Sequence, residues 1–423
     1  MQIPVQEFSK PCPCGHKHDI FVRDIRIGKG VLSCIPGLLR EGGFSSPTVV
    51  CDENTFAAAG ERIVSLLGGC PFVSLSPEGL HADEHAVEKL LSLLTDKTDI
   101  LIAVGSGTVH DITRYCANER RIPFFSVPTA ASVDGFVSTV AAMTWHGFKK
   151  SFIAVSPLYV VADSEIFSKA PARLTAAGIG DLLGKYTAIA DWRIAHEVTG
   201  EYLCERICGM ELEAIRTVCE NLTAIRAGDE QASEQLMYGL LLSGLAMQMI
   251  GNSRPASGSE HHMSHLWEME VINPHTDAYH GEKVGAGLLY AAKAYHAVRA
   301  RILDKKLKLK EYKGLETALL EETFGRRGLT ESLLEENSPD PLLEIQPQKL
   351  LESLPRIAQI LGDIPAPENL RGLLARAEAP LSLTDIGLEE DICPLTLRLS
   401  PYVRRRLTFM RLIKLFDLDI QGL

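Results

Sequence analysis

Short apolar runs alternate with helical patterns between residues 20 and about 165. The patterns predict strands at residues 48–52, 100–104, 122–127 and 159–163, and helices at 56–67 and 109–118. Uniformly apolar strands separated by helices are typical of a parallel sheet with helices on both faces. From residue 164 onward the pattern is helical almost throughout. The sequence therefore predicts an α/β N-terminal dinucleotide-binding domain over 1–165, with 1–19 as a flexible arm, and an all-α C-terminal domain over 166–423.

One segment, residues 235–253, carries no charge, which a membrane span would require. A helix that crosses a bilayer needs about 20 predominantly apolar residues. This segment is short and is interrupted by Gln235, Gln248 and Asn252. We therefore predict a buried core helix and no membrane span.

The charge balance and the cysteines narrow the classes of protein. Asp and Glu number 54 and Lys and Arg 43, so the net charge is −11, which argues against a nucleic-acid or basic membrane-surface protein because both need a basic face. Ten cysteines in 423 residues do not form the dense pattern of a small disulfide scaffold. The first twenty residues contain no apolar core of a signal peptide. We therefore expect a cytoplasmic globular protein.

A glycine turn follows the strand predicted at 100–104. Gly105 and Gly107 let the backbone approach a phosphate, and the amides at the start of the next helix favour negative charge. Thr108 and Asp111 have the spacing of a capping box. His110 stands where the usual dinucleotide fingerprint has its third glycine. The alternative is a tight turn with no ligand.

Asp52 ends the first strong strand. A carboxylate at that place can hold a ribose diol and disfavour a 2′-phosphate, which predicts NAD(H) in preference to NADP(H). The equally open alternative is a cap of the next helix. Because Asp52 precedes the glycine turn, the order of the usual motif is reversed and a non-standard dinucleotide domain is implied.

Five of the thirteen histidines fall between His261 and His280. His261 and His265 are four residues apart and share a helix face, whereas His262 points about 100° away. Together with His280 and a distant carboxylate they suit a divalent metal ion. The best carboxylate is Asp181 in a run of small residues, where a helix cap is the alternative. Core or capping roles for the histidines stay open.

Four ordered motifs resemble the NAD(P)-dependent sn-glycerol-1-phosphate dehydrogenase family, within the iron-containing alcohol dehydrogenase and dehydroquinate synthase-like superfamily. They read Ser126-Val-Pro-Thr-Ala-Ala-Ser-Val-Asp-Gly135, Gly178-Ile-Gly-Asp181, Ser253-Arg-Pro-Ala-Ser-Gly-Ser-Glu-His261 and His280-Gly-Glu-Lys-Val-Gly285. The resemblance covers about residues 20–287 and is strongest to the bacterial branch. It implies a dehydroquinate synthase-like fold, a homodimer, and reversible reduction of dihydroxyacetone phosphate to glycerol 1-phosphate by NADH or NADPH, for phospholipid synthesis or another use of that product.

The resemblance also implies roles for individual residues. Asp181, His261 and His280 match the ligands of one divalent ion, which is Zn, Ni or Fe, and His262 competes with His261. His265 matches a substrate-contacting histidine, and Asp134 matches a substrate-binding carboxylate. The proton for the reduction is expected from water or from His265, because an ordinary imidazole titrates near neutral pH. The positions that match cofactor contacts are Gly105, Gly107, Thr108, Val109, His110, Asp111, Thr129, Ala130, Ala131, Ser132 and Ser138.

Basic residues near these motifs are candidates for the substrate phosphate. They are Lys149, Lys150, Lys185 and Arg254, and each is equally suited to a surface or helix-face role.

At the N-terminus, Cys12, Cys14, His16 and His18 contain the donors of a small zinc site. Their spacing is cramped compared with ordinary zinc knuckles, so a flexible arm with reactive thiols is the favoured interpretation.

Two kinds of alternative to the glycerol-1-phosphate dehydrogenase stay open. In the first, the chain has the same fold and cofactor but different chemistry, that of a polyol dehydrogenase, such as a glycerol dehydrogenase, or of a dehydroquinate synthase-type lyase. A protein of another class, a metallohydrolase, would use the histidine cluster and leave the glycine turn without a ligand.

Overall fold

The computed structural model describes residues 2–419, and these residues group into two compact units. The sheet unit contains the residues up to Gly178 and Gly209–Ser253, and the helical unit contains Ile179–Cys208 and the residues from Arg254 onward. The predicted domain boundary at 165/166 lies just after the last strand, Tyr159–Asp163. The two compact units do not follow this boundary, because the later segment Gly209–Ser253 packs in the sheet unit.

The strands follow in chain order as β1 Asp24–Gly28, β2 Pro47–Asp52, β3 Phe72–Leu75, β4 Ile100–Gly105, β5 Phe124–Pro128, β6 Val140–Trp145, β7 Phe148–Ile153 and β8 Tyr159–Asp163. Six of them form one parallel sheet in the order β1-β8-β5-β4-β2-β3, and β6 pairs with β7 as an antiparallel hairpin. The parallel sheet predicted from the apolar runs is confirmed.

The helices follow as α1 Ile35–Gly42, α2 Glu53–Thr55, α3 Glu61–Leu66, α4 Glu84–Leu93, α5 Gly107–Arg120, α6 Ser164–Phe167, α7 Ala172–Leu183, α8 Lys185–Thr199, α9 Glu205–Arg226, α10 Glu230–Ile250, α11 Ser259–Glu268, α12 His280–Leu303, α13 Thr317–Phe324, α14 Thr330–Glu336, α15 Pro347–Gly362, α16 Pro367–Arg376, α17 Cys393–Leu399 and α18 Phe409–Leu412. A π-helical turn, Phe56–Gly60, joins α2 to α3. The predicted predominance of helices after residue 164 is confirmed.

Both faces of the parallel sheet are buried. Val49 and Ile102 pack on one face with α1 and α3, whereas Val50 and Leu101 pack on the other with α4 and α5. Neighbouring strand residues point to opposite faces. A strand that is covered on both sides must therefore be apolar at every position, which explains the continuous apolar runs.

The uncharged segment forms most of α10, which is buried over most of its length. One of its polar residues, Gln248, forms hydrogen bonds within the sheet unit. Its Nε2 donates to Ser156 Oγ at 2.8 Å, and its Oε1 accepts from the Phe21 amide at 2.9 Å. Among residues 2–419, no helix is both long and apolar enough to cross a membrane.

The N-terminal segment packs on the sheet unit, which differs from the predicted flexible arm. Ile3 and Val5 are 1% and 3% exposed. The Ile3 amide donates to the Ile25 carbonyl of β1 at 3.3 Å, and His18 is buried against α10. Two apolar residues among polar ones are a weak signal in sequence, yet their burial anchors the segment.

Candidate active site

The glycine turn is built as the sequence predicts. β4 ends at Gly105, and α5, a helix of 14 residues, begins at Gly107. A Cβ on Gly105 would lie 2.7 Å from Val109 Cβ, so the turn requires glycine. The N-cap, Ser106, makes no side-chain hydrogen bond to the first helical turn. The start of α5 thus presents amides to a ligand, which fits a dinucleotide phosphate.

The predicted capping box of Thr108 and Asp111 is wrong, because the helix begins earlier. Asp111 Oδ1 instead accepts a hydrogen bond from Arg114 Nη1 at 2.5 Å. Arg114 is fully buried and also donates to the Gly135 and Phe136 carbonyls. This arginine, which the sequence analysis missed, ties α5 to the loop that follows β5.

His110 joins the glycine turn to the sheet. Its Nδ1 donates to the Ser106 carbonyl at 2.9 Å, and its Nε2 accepts from Ser126 Oγ at 2.8 Å. Burial lowers the pKa of His110 to about 3, so the ring is neutral. The side chains of His110 and Asp111 thus bind within the protein, and the amides at Gly107, Thr108 and Val109 remain the predicted cofactor contacts.

The second group of predicted cofactor contacts, residues 129–132, lies at the same edge of the sheet. Because β4 and β5 are adjacent, Thr129 comes beside Gly105, whose carbonyl accepts from the Thr129 amide at 3.0 Å. Ala130, Ala131 and Ser132 follow and are buried. Ser132 Oγ is buried with no hydrogen-bond partner among residues 2–419. An unsatisfied buried hydroxyl fits a ligand contact.

The loop after this motif is held by α10. Asp134 Oδ2 accepts from Ser243 Oγ at 2.9 Å, and Ser138 Oγ accepts from the Val140 amide at 2.9 Å. A Cβ on Gly244 would lie 2.6 Å from the Asp134 carbonyl. Gly244 therefore allows α10 to approach the loop, a contact that the sequence analysis did not foresee.

Asp52 lies beside the glycine turn. The register that pairs Val50 with Ala103 brings the end of β2 next to the end of β4. Asp52 also caps α2, since Oδ1 accepts from the Thr55 amide at 2.8 Å. The capping alternative is thus observed, and it occurs at the place where the sequence predicts a ribose contact.

The helical unit brings together the three predicted metal ligands. Asp181 lies on α7, His261 on α11, and His280 is the first residue of α12. One ligand atom from each lies within 4.8 Å of the others. The rings of His261 and His280 have their centroids 5.2 Å apart. One carboxylate and two imidazoles at this separation fit a divalent transition-metal ion.

Two carboxylates that the sequence analysis missed orient the two histidines predicted to bind the metal. His261 Nδ1 donates to Glu260 Oε1 at 2.7 Å, and His280 Nδ1 donates to Glu268 Oε1 at 2.8 Å. Each ring therefore keeps Nε2 for a metal, and His261 Nε2 is 3.4 Å from Asp181 Oδ1. Carboxylates behind ligating histidines are usual in metal sites. The one available signal was Glu260 directly before His261.

Glycines permit the close approach of the three helices. A Cβ on Gly287 of α12 would lie 2.7 Å from the Glu260 carbonyl on α11. A Cβ on Gly180 of α7 would overlap the Gly281 carbonyl of α12. The ligands converge because these positions carry no side chain.

Lys185 forms an ion pair with Asp181 of the predicted metal site. Its Nζ donates to Asp181 Oδ1 at 2.7 Å, and both side chains are buried. Burial disfavours the charged carboxylate, yet the Lys185 ammonium and His261 hold the pKa of Asp181 below its usual range. Lys185, a sequence candidate for the substrate phosphate, thus contacts Asp181, the carboxylate predicted to bind the metal.

His262 and His265 occupy different surroundings. His262 is fully buried, and neither ring nitrogen has a hydrogen-bond partner among the described residues. His265 Nδ1 donates to Glu268 Oε2 at 3.2 Å, and its ring stacks on His280 at 5.5 Å. Burial lowers the pKa of His265 to about 3, which corrects the expectation of a histidine that titrates near neutrality.

Asp191, another residue that the sequence analysis missed, anchors the start of α11. It accepts from the Ser259 amide at 2.8 Å, the Phe409 amide at 2.7 Å and the Tyr295 hydroxyl at 2.6 Å. Burial and the charge of Glu260 raise its pKa to about 6. These bonds fix the segment that carries Glu260 and His261.

The remaining basic candidates lie in two places. Lys149 and Lys150 lie on the β6–β7 hairpin of the sheet unit. Arg254, in the helical unit, donates to Glu201 and to the Leu407 carbonyl at 2.8 Å. Near it is Arg406, which lines a cavity of about 410 Å³. Burial and the charge of Arg254 lower the pKa of Arg406 to about 9.

Comparison with known proteins first gives the class of fold. Residues 26–171 match the family model of iron-containing alcohol dehydrogenases. Among solved structures, maleylacetate reductase from Rhizobium sp. strain MTP-10005 is 16% identical with a TM-score of 0.62, covering 98% of this chain and 97% of that chain. Iron-containing alcohol dehydrogenase from Corynebacterium glutamicum is 17% identical with a TM-score of 0.63, covering 96% and 98%. At these identities the likeness concerns the fold.

Closer relatives give the particular family. Glycerol-1-phosphate dehydrogenase [NAD(P)+] from Geobacillus stearothermophilus is 32% identical over 403 residues, 93% of each chain. The enzyme of that name from Bacillus licheniformis is 38% identical over 68% of this chain and 74% of its own. The chain belongs to the glycerol-1-phosphate dehydrogenase family.

Proposed function

We propose that the protein catalyses the metal-dependent, reversible reduction of dihydroxyacetone phosphate to sn-glycerol 1-phosphate with NAD(P)H. The observation that carries the proposal is the convergence of Asp181, His261 and His280 in a chain of this family. When bound, a divalent cation supplies a Lewis acid for the substrate carbonyl, and the dinucleotide supplies the hydride.

The protein's own residues would perform three tasks. Asp181, His261 and His280 would hold the cation, while Glu260 and Glu268 keep each histidine in the tautomer that leaves Nε2 for it. His265 donates a hydrogen bond from Nδ1 to Glu268. Its Nε2 would therefore be the acceptor for a substrate hydroxyl. Zn²⁺, Ni²⁺ and Fe²⁺ all suit this donor set.

For the substrate phosphate we propose Arg406. It lines a cavity of the helical unit and donates to the Ser257 carbonyl, two residues before α11, the helix that carries His261; Arg254, nearby, is paired with Glu201. A phosphate would bind the planar guanidinium through charge-assisted hydrogen bonds.

Replacing Arg406 by Gln tests the phosphate contact. Arg406→Gln is expected to raise the KM for dihydroxyacetone phosphate at least about tenfold, since a charge-assisted hydrogen bond contributes about 1.5–3 kcal/mol. Turnover of unphosphorylated dihydroxyacetone should not change. Arg326→Gln, on the exposed surface of the same unit, is the matched control. An unchanged KM in Arg406→Gln would assign the phosphate to another residue.

We propose NAD(H) in preference to NADP(H), on the position of Asp52 beside Gly105. Asp52→Asn keeps an oxygen for the cap on Thr55 and removes the charge that repels a 2′-phosphate. It should raise the kcat/KM ratio of NADPH to NADH about tenfold, the effect of about 1.4 kcal/mol. Asp83→Asn changes a similar cap, that of α4, and should leave the ratio unchanged. An unaltered ratio in Asp52→Asn would leave this residue as a cap only.

The function itself is tested by NADH oxidation with dihydroxyacetone phosphate, with unphosphorylated dihydroxyacetone and without substrate. We expect turnover that strongly favours the phosphate ester, is abolished by a chelator, and returns with a divalent ion. Equal rates with both ketones would identify a polyol dehydrogenase. Failure to bind the dinucleotide, together with metal-dependent ester hydrolysis, would identify the hydrolase.

A further inference from the structure

We infer that the N-terminal segment contains a second metal site, in which Cys12, Cys14 and His18 bind a zinc ion. The two Sγ atoms and a ring nitrogen of His18 lie within 4.8 Å of one another. The ligands of the proposed catalytic cation are Asp181, His261 and His280, so the reaction makes no use of these thiols. The site is therefore independent of the proposed function.

A tight turn brings the two thiols together. The Gly15 amide donates to the Cys12 carbonyl at 3.0 Å, and Gly15 has a φ of 79°, which favours glycine. Pro13 occupies the second position of this turn, where its fixed φ is favourable. The Cys-Pro-Cys-Gly spacing looked cramped in sequence, but the turn places both cysteines near His18.

His18 is held in the orientation of a metal ligand. It is 1% exposed, and Nδ1 donates to the Met249 carbonyl of α10 at 2.8 Å. That bond fixes the tautomer, so Nε2 carries the lone pair, and Nε2 lies 3.4 Å from Cys14 Sγ. A backbone carbonyl behind the ring is a usual support for ligating histidines. His16 differs, because it is exposed and its Nδ1 lies 3.2 Å from the Cys14 carbonyl.

The donor set selects the metal. Two thiolates and one imidazole favour Zn²⁺ over Mg²⁺ or Ca²⁺, which prefer oxygen. A fourth donor, water or another side chain, would complete a tetrahedron. A reactive thiol pair is the competing role, but it would not require a buried imidazole whose Nε2 faces the sulfur. The ion would fasten the segment to α10 and thereby to the sheet unit.

Cobalt substitution in the full-length protein distinguishes this site from the Asp181 cluster. Thiolate coordination gives Co²⁺ a ligand-to-metal charge-transfer band in the near ultraviolet, which a site of oxygen and nitrogen donors does not produce. We expect the band in the unmodified protein and in His261→Ala, and its loss in the double variant Cys12→Ser/Cys14→Ser. His16→Ala is the matched control and should retain it.

Zinc content and X-ray absorption give an independent readout if the double variant folds poorly. The unmodified protein should contain zinc with two sulfur neighbours at about 2.3 Å. The double variant should contain one equivalent less than His16→Ala. Absence of both the cobalt band and the zinc–sulfur distances from the unmodified protein would overturn the inference. Conversion of Cys12 and Cys14 to a disulfide without metal uptake would overturn it in favour of a redox pair.

Discussion

His261→Ala is expected to abolish binding of the proposed catalytic metal and to lower kcat/KM by about 10³-fold or more. His261 offers Nε2 at 3.4 Å from Asp181 Oδ1, and Glu260 fixes its tautomer. Removing the ring leaves two ligands where a catalytic site of this kind uses three. Steady-state kinetics and metal content, measured on the same preparations, give the result.

His262→Ala is the matched control, because the two residues are adjacent on α11. His262 makes no ring hydrogen bond among the described residues and joins no group of metal-binding atoms found there. Its loss should reduce stability by leaving a cavity, with metal content and turnover within a few-fold of the unmodified protein. The reverse pattern would assign the ligand to His262.

Gly287→Ala should destabilise the helical unit by about 1–3 kcal/mol, the usual cost of overpacking, and should weaken metal binding. Its Cβ would lie 2.7 Å from the Glu260 carbonyl and 3.3 Å from Glu260 Cα. Backbone atoms cannot yield as the end of a flexible side chain can. To accept the methyl group, α12 must move away from α11, which separates His280 from His261.

Gly372→Ala is the comparison, and we expect it to change the free energy of unfolding in the opposite direction. Gly372 lies within α16, and a Cβ there would have no atom within 4 Å. Alanine in a helix is favoured over glycine, so this change should stabilise by about 0.5–1 kcal/mol. Chemical denaturation and metal titration of both variants test the pair. Equal stability of the two variants would contradict the close packing of α11 and α12.

The parallel sheet was predictable because a strand buried on both faces is apolar at every residue. β4 and β5 could be recognised for this reason. β1 and β3 were not predicted: β1 contains Asp24 and Arg26, and β3 is a four-residue edge strand. Edge strands need less apolar surface, so their pattern in sequence is weak.

The site could be predicted only in part. Spacing put His261 and His265 on one helix face, but it did not decide between His261 and His262. That distinction depends on Asp181 and His280, which lie far away in sequence and meet His261 only through tertiary packing. Tertiary packing also explains why the sequence did not indicate Glu268, Asp191 and Arg406. Each of them contacts residues that are distant in sequence.

The configuration of the reduced product is the decisive measurement for the proposed reaction. Dihydroxyacetone phosphate is reduced to completion with NADH and the metal-loaded protein, and the product is then incubated with a dehydrogenase specific for sn-glycerol 3-phosphate. We expect the product to resist oxidation, because it is sn-glycerol 1-phosphate. Complete oxidation by that enzyme, or no reduction of the ketone at all, would contradict it.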